Sequence, residues 1–268
     1  MLLLAFETSA KAASVALFED STLLAEQYQN TGLTHSQTLL VMAEDLLKQC
    51  GKTAQDVQGV AVANGPGSFT GVRIGVAAAK GFAWGGEIPI FGVSTLEAMA
   101  LGLGISDGFV CPVMDARRNQ VYNALFYVNQ GVVTRQTPDR AIALEDLKNE
   151  LKRLEKPIYL VGDGSILCYN TLQKDLPGLI LPPEWKMHQR AVGVGLAERP
   201  GGCAVGEPAA GCICGSGAAV DGWCSSQRAT AGIACVAAAP VDEPAAGTGR
   251  VFGKGHCLGC AGGGNVSV

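Results

Sequence analysis

The hydrophobic residues of the first hundred positions occur in short blocks, and their spacing predicts alternating strands and helices. Three early blocks are separated by short polar turns, which is typical of an antiparallel meander. Apolar residues then recur at helical spacing between Thr34 and Gly51, and Thr34 with Gln37 has the pattern of a capping box. The predicted elements are strands over 2–8, 13–18 and 23–28, a helix over about 35–50, a strand over 59–63, a small-residue helix that includes 76–86, a strand over 88–93 and a helix over 95–103.

The second half of the pattern begins again with strands and repeats the order of the first half. The predicted elements are strands over 110–114, 121–128 and 132–136, a helix over 144–155, a strand over 158–161, a helix over 165–174, a strand over 179–181 and a helix over 188–197. Because the order of strands, helix, strand and helix recurs, we expect an α/β chain of two similar lobes, over 1–104 and 105–197.

A glycine-rich stretch, Gly65–Gly75, connects the strand at 59–63 to the small-residue helix. Such a turn from a strand into a helix is a common place for a bound anion or for close backbone packing. Ser68 and Thr70 each have a side-chain oxygen that can cap the first turn of the helix. The stretch lacks the Gly-Lys-Ser/Thr end of a P-loop and the spacing of the dinucleotide fingerprint, so the sequence favours a structural turn over a phosphate site.

The helix that follows this turn consists almost entirely of small residues, and its charged residues are Arg73 and Lys80. Glycine inside a helix costs about 1 kcal/mol relative to alanine, so its glycines need a structural reason. Close approach of another helix is the usual one. We therefore expect a helix–helix contact at Gly71, Gly75 and Ala78, either inside the fold or with a partner protein.

Composition and charge narrow the class of protein. The chain has 268 residues, of which 48% are hydrophobic, and its formal net charge is −4. No basic stripe is visible, which disfavours independent binding to tRNA or DNA. No apolar run is long enough to span a membrane, and the start of the chain lacks the basic region of a signal peptide. We therefore expect a cytoplasmic protein without a membrane partner.

The composition changes abruptly near the end of the last predicted helix. Residues 195–268 contain 17 glycines, 15 alanines and seven cysteines, without helical or strand periodicity. The segment 198–268 can be an unstructured tail rich in glycine, alanine and cysteine, a metal module, or the product of a shifted reading frame in GC-rich DNA. The cysteines lack the paired spacing of a zinc site, so the sequence favours the frame shift. The residues that would suggest zinc are Cys212, Cys214, His256, Cys257 and Cys260.

Few residues of the chain indicate catalysis. Glu7 and Asp115 each end the first strand of a lobe, and in a two-lobed fold both would face the cleft between the lobes. Glu7 with Thr8 and Ser9 is similar to the turn that actin-like ATPases place against phosphate and magnesium. A strand-end acid that satisfies its own turn is an equal alternative. The three histidines do not have the spacing of a metalloprotease helix, and no Gly-x-Ser-x-Gly elbow is present.

Several stretches of the first 194 residues carry a resemblance to a known family. They are Phe6–Ser9 with Ser14–Leu17, His35–Gln37 with Leu39–Leu40, Gly65–Gly75, Ser94–Ala98, and Asp115–Arg117 with Val121–Tyr122. Together they resemble the TsaB/YeaZ family, the bacterial tRNA threonylcarbamoyladenosine biosynthesis proteins that are also called glycoprotease-like. The glycine stretch and the Asp-Ala-Arg stretch are the specific ones.

The resemblance implies an actin-like fold of two ribonuclease-H-like lobes. It also implies a non-catalytic scaffold subunit, without a cofactor or metal, that pairs with and activates a TsaD-type transferase. The ATPase subunit TsaE and a second copy of the chain are further implied partners. The implied complex modifies the adenosine next to the anticodon, and tRNA reaches the chain only through that complex.

The resemblance places the partner surface on the two helices of the first lobe, at about 35–50 and 70–84. The implied interface residues are His35, Ser36, Leu39, Leu40, Phe69, Thr70, Gly71, Arg73, Ile74, Gly75 and Ala78. A vestigial nucleotide cleft would contain Glu7, Thr8, Ser9 and Asp115, although the family usually has aspartate at the position of Glu7. The alternative function is an enzyme, either an actin-like nucleotide-binding ATPase or a glycoprotease-type peptidase.

Overall fold

The N-terminal half of the chain builds a five-stranded sheet. The computed structural model describes residues 1–198, so the expectations for the remainder, to residue 268, lie outside the described residues. The strands are β1 Leu2–Glu7, β2 Ala13–Glu19, β3 Thr22–Gln29, β4 Gly59–Gly65 and β5 Ile90–Ser94. They lie in the order β3-β2-β1-β4-β5, and the β1–β2 and β2–β3 pairs are antiparallel whereas the β1–β4 and β4–β5 pairs are parallel.

Two helices cover one face of this sheet. They are α1 His35–Gln49 and α2 Phe69–Gly86, with a short 3₁₀ turn, Ala54–Asp56, between them in sequence. The side of α1 that faces the sheet has apolar residues three and four positions apart, which is the spacing of one helix face. These buried residues are Leu39, Met42, Ala43, Leu46 and Leu47. They pack with alternate residues of the strands, including Leu4 and Phe6 of β1, in one hydrophobic cluster.

The opposite face of the sheet is covered by a helix from each half of the chain. They are α3 Thr95–Leu103 and α7 Ala191–Ala197. Ala191 and Val194 pack with Leu3 and Ala5 of β1, and the amide nitrogen of Ala191 donates a hydrogen bond of 2.7 Å to Ser14 Oγ. Because both faces of the sheet are covered, β1 and β2 consist almost entirely of apolar residues, whereas a strand with one exposed face alternates apolar and polar residues.

The second half of the chain builds a second sheet. Its strands are β6 Asp107–Arg117, β7 Gln120–Asn123, β8 Phe126–Asn129, β9 Val132–Arg135, β10 Arg140–Ala143, β11 Ile158–Val161 and β12 Leu179–Ile180. The main order is β10-β7-β6-β11-β12, while β8 pairs with β6 and β9. Its remaining helices are α4 Leu144–Leu151, α5 Ser165–Leu172 and α6 Glu184–Met187.

The two sheets share one topology. In each, the first strand of the half lies at the centre, with an antiparallel neighbour on one side and two successive parallel strands on the other. A duplicated arrangement of this kind confirms the predicted α/β class, an actin-like fold of two ribonuclease-H-like units. The lobe limits of 1–104 and 105–197 stay predictions, and α7 packs against the first sheet although it ends the second half.

Several local predictions are wrong for identifiable reasons. Thr34 precedes α1, but its side chain makes no capping hydrogen bond, and the capping box joins Thr53 to Asp56 instead. The apolar run predicted as one strand over 121–128 is two strands, β7 and β8. The division follows Asn123, whose buried side-chain amide donates to the carbonyls of Pro112 and Ala124 at 3.0 Å. Strand β10 and helix α6 are four residues each, too short for a clear periodicity.

Candidate partner-binding face

Helix α2 has one stripe of exposed residues along its whole length. The members of this stripe recur every three or four positions, so they lie on one side of the helix. They are Thr70, Arg73, Ala77, Lys80 and Trp84. Phe69, the first residue of the helix, is 69% exposed, and Trp84 is 80% exposed. Arg73 lies over the Phe69 ring, 3.7 Å from its centroid, so the aromatic ring and the cation form one unit.

Helix α1 adds a second exposed edge. Val41 lines a groove beside β3 together with Gln37 and Asp45, so this side of α1 is directed towards β3. Ser36 and Leu40 directly precede Gln37 and Val41, so they lie about 100° around the helix from that side, and Leu40 is 50% exposed. We call the exposed stripe of α2 with Phe69, and Ser36 and Leu40 of α1 with Leu33 just before that helix, the helix-pair face. It consists of Leu33, Ser36, Leu40, Phe69, Thr70, Arg73, Ala77, Lys80 and Trp84.

Two glycines of α2, Gly71 and Gly75, lie on the side away from this face, towards the sheet. Gly71 and Gly75 are buried, and a Cβ atom at either position would overlap atoms of Thr8 at the end of β1. The interpretation of these glycines as contacts for a partner helix is therefore wrong, because the close approach is to the sheet of the same lobe. The cap of α2 is Ser68 rather than Thr70, and its Oγ accepts a hydrogen bond of 3.3 Å from the amide of Gly71.

The predicted interface residues divide into three groups by exposure. Ser36, Leu40, Phe69, Thr70 and Arg73 are exposed; His35, Ile74 and Ala78 are half-buried; and Leu39, Gly71 and Gly75 are buried. The buried three have no surface to offer a partner. Leu33 and Trp84 are exposed but were not among the predicted interface residues, although Trp84 continues the helical spacing that places Arg73 and Lys80 on one side.

The residues predicted for a nucleotide cleft are not open to a ligand in this conformation. Glu7, Thr8 and Ser9 are fully buried, whereas Asp115 is exposed and accepts a hydrogen bond of 2.7 Å from the amide of Arg117. Glu7 Oε1 accepts a hydrogen bond of 2.5 Å from the amide of Ser9. The expectation that these four side chains line one accessible cleft is therefore wrong for the first three.

The Glu7 carboxyl has an unusual environment for an acid. Its Oε2 atom has no hydrogen-bond partner among the described residues. Burial raises the pKa of Glu7 to about 7, and the hydrogen bonds from Ser9 and Thr8 oppose that rise only in part. The geometry agrees with the alternative that the strand-end acid satisfies its own turn.

Within residues 1–198, no group of three His, Cys, Asp or Glu side chains is arranged to hold a metal ion. None of the helices in that range combines the length and the apolar character that a membrane crossing requires.

Comparison with known proteins finds relatives of this chain. The matching family model is that of TsaD, tRNA N6-adenosine threonylcarbamoyltransferase, over residues 28–172. The chain is 38% identical over 167 residues to the tRNA threonylcarbamoyladenosine biosynthesis protein TsaB of Bacillus subtilis (strain 168), covering 62% of this chain and 73% of that protein. Identity to the protein of the same name from Escherichia coli (strain K12) is 36% over 167 residues, covering 61% of this chain and 72% of that protein.

The chain belongs to the TsaB/YeaZ family.

A solved structure supports the same assignment. YeaZ from Pseudomonas aeruginosa superposes with a TM-score of 0.56 and 26% identity, covering 73% of this chain and 91% of that chain. The resemblance inferred from the glycine and Asp-Ala-Arg stretches is thus confirmed. The span matched by the family model, 28–172, contains both helices of the helix-pair face and the Asp115–Arg117 stretch.

Proposed function

We propose that this chain is a subunit of the complex that synthesises threonylcarbamoyladenosine at the tRNA adenosine next to the anticodon. In this role it is a non-catalytic scaffold that pairs with and activates a TsaD-type transferase through the helix-pair face. The single observation that carries the proposal is membership of the TsaB/YeaZ family, whose relatives are named for this biosynthesis.

The chemistry of the helix-pair face supports docking of a protein. Aromatic residues and arginine are enriched in protein interfaces, and Phe69, Trp84 and Arg73 are exposed together along one helix. Helix α2 contains no acidic residue, and its cations are Arg73 and Lys80. A partner that offers an apolar helix surface with carboxylates at its rim fits this face.

The burial of the residues predicted for a nucleotide cleft supports the proposed non-catalytic role. Glu7, Thr8 and Ser9 are buried and hydrogen-bonded within the fold rather than directed at a substrate. We further propose that TsaE joins the complex, that the chain also forms a homodimer, that tRNA is bound only by the assembled complex, and that the protein acts in the cytoplasm.

The enzyme alternative, an actin-like ATPase or a peptidase, is not favoured. The relatives in both Bacillus subtilis and Escherichia coli are named as biosynthesis proteins of the modified nucleoside. An ATPase would need a nucleotide site, and the acid and hydroxyls expected for that site are enclosed in the core of the first lobe.

The proposal is tested by reconstitution. The purified full chain is mixed with the TsaD-type transferase, TsaE, ATP, a threonylcarbamoyl donor and an unmodified tRNA transcript, and the modified nucleoside is measured by mass spectrometry. We expect product only when the chain is present, and we expect the chain alone to hydrolyse no ATP. Equal product without the chain, or ATP turnover by the chain alone, would contradict the proposed role.

A further inference from the structure

The turn after β1 makes direct hydrogen bonds to the first turns of both α1 and α2. We call residues Glu7–Ala10 the anchoring turn. Thr8 Oγ1 donates a hydrogen bond of 2.8 Å to the carbonyl of Gly71, and the carbonyl of Ser9 accepts one of 2.7 Å from the amide of Ser68. The Nε2 atom of His35 lies 2.8 Å from the carbonyl of Ala10. Three successive residues of one turn thus connect to the starts of two different helices.

The contact between the anchoring turn and α2 is tight as well as hydrogen-bonded. Thr8 and Ser9 are fully buried. A Cβ atom at Gly67 would lie 2.5 Å from the carbonyl oxygen of Ser9, and one at Gly71 would overlap the carbonyl of Thr8. Because no side chain fits between the backbones, a shift of the anchoring turn moves the start of α2 with it.

The start of α1 depends on the same turn. Thr34 makes no side-chain cap, and the ring of His35, the first residue of α1, connects this helix end to the carbonyl of Ala10. Exposed apolar residues of the helix-pair face lie close to both helix starts. Leu33 lies two residues before His35, and Phe69 directly follows Ser68, so each is within two residues of a residue bonded to the anchoring turn.

We propose that the anchoring turn sets the mutual position of α1 and α2, and through it the affinity of the helix-pair face for its partner, with Thr8 as the principal positioning residue. This inference rests on the proposed function for the identity of the partner. Thr8 is buried beneath α2, so its effect on a partner is transmitted by the helices and not by contact.

The test replaces the Thr8 hydroxyl while keeping the shape of the side chain. In Thr8→Val the hydrogen bond to Gly71 is lost, and Thr8→Ser retains it. Thr38→Val is the matched control, because Thr38 lies on α1 and its hydroxyl bonds only weakly, at 3.5 Å, to Thr34. Affinity for the TsaD-type transferase is measured by titration calorimetry, at a temperature where circular dichroism finds each full-length variant folded.

We expect Thr8→Val to weaken the affinity about fivefold, because the helix pair that the hydrogen bond held in place must then be ordered when the partner binds. Thr8→Ser and Thr38→Val should stay within about twofold of the unmodified chain. The inference would be overturned if the Thr8→Val chain is folded and binds the transferase as tightly as the unmodified chain does. If Thr8→Val does not fold, Thr8→Ala, which removes the hydroxyl without adding a methyl group, replaces it, with Thr8→Ser still the variant that keeps the hydroxyl and with the same two outcomes.

A second measurement separates this inference from the proposed function. Amide hydrogen exchange of the chain alone, without any partner, should accelerate in Thr8→Val at the first turns of α1 and α2 and stay unchanged in α4. Unchanged exchange at both helix starts would overturn the positioning role even where the transferase binds. A different result is that the unmodified chain does not bind the transferase while Thr8→Val shows the expected exchange pattern. That result would refute the proposed function and the effect on affinity, but it would leave the positioning of the helices by Thr8 standing.

Discussion

Gly75 lies directly above Thr8, and the threonine hydroxyl fills the space that a side chain at residue 75 would need. The same hydroxyl donates to the carbonyl of Gly71, one helical turn earlier. This relationship explains why α2 contains glycine at positions where alanine would favour the helix. The small residues let the helix lie close to the end of β1, and the larger and charged residues of α2 are left for the opposite side.

The first prediction concerns the two kinds of glycine in α2. Gly75→Ala should lower the free energy of unfolding by about 1–3 kcal/mol, because the added methyl group overpacks the contact with Thr8. Gly81 is exposed, with open space around it, and Gly81→Ala is the matched control. It should raise the free energy of unfolding by up to about 1 kcal/mol through helix propensity alone. Urea unfolding of both variants gives the comparison, and equal effects would show that Thr8 does not restrict residue 75.

The second prediction is a pH dependence of stability that comes from Glu7. Between its ordinary pKa of 4.5 and the folded value of about 7, only the unfolded chain releases the proton, so the free energy of unfolding should fall as pH rises. The full loss, reached above the folded pKa, is about 3 kcal/mol. Glu7→Gln should remove this slope. Denaturant unfolding from pH 5 to pH 8 checks it, and parallel curves for the two proteins would contradict the assignment to Glu7.

The third prediction is that Glu7 takes no part in chemistry. Glutamine keeps the side-chain oxygen that accepts the hydrogen bond from the Ser9 amide. Glu7→Gln should therefore leave transfer by the reconstituted complex within a few-fold of the unmodified rate. A general acid or base contributes about a hundredfold or more, and a drop of that size would show that Glu7 acts on a substrate.

The fourth prediction concerns the segment beyond residue 197. The sequence favours a shifted reading frame there and no bound metal, and no structural observation bears on this part of the chain. Translating the gene in its other two frames from the codon of Gly195 should recover a helical pattern followed by a proline-x-tyrosine-leucine-arginine stretch, which the resemblance to the TsaB/YeaZ family implies for the end of such a chain. Stop codons in both frames, or stoichiometric zinc in the purified protein, would refute the prediction.

Much of the fold could be predicted because its information is local. The meander of β1 to β3 and the helix at 95–103 follow from spacing and turn residues, and Gly51, at φ +67°, follows the last turn of α1 where glycine was expected. The limits of several elements could not be predicted. The break between β7 and β8 depends on hydrogen bonds from Asn123 to another strand, and no local pattern records such a bond.

The site was only partly predictable for the same reason. The spacing of Arg73 and Lys80 correctly indicated one side of α2, but spacing alone could not decide which side faces the sheet. That choice is made by Thr8, more than sixty residues away in sequence, against which Gly71 and Gly75 pack. At the start of α1 the His35 ring likewise contacts the distant carbonyl of Ala10, and no local pattern records that contact.

The most direct test of the account is the affinity of the TsaD-type transferase for a chain with a charge placed in the helix-pair face. Phe69→Asp changes an exposed aromatic residue of that face. Ile166→Asp is the control. Ile166 lies on α5, outside the helix-pair face, and is 54% exposed, so this substitution also places a charge on an exposed apolar residue. We predict that Phe69→Asp weakens binding at least about tenfold, about 1.4 kcal/mol, with unfolding unchanged, and that Ile166→Asp binds normally. Normal binding by a folded Phe69→Asp chain, or equal loss in both variants, would contradict docking through this face.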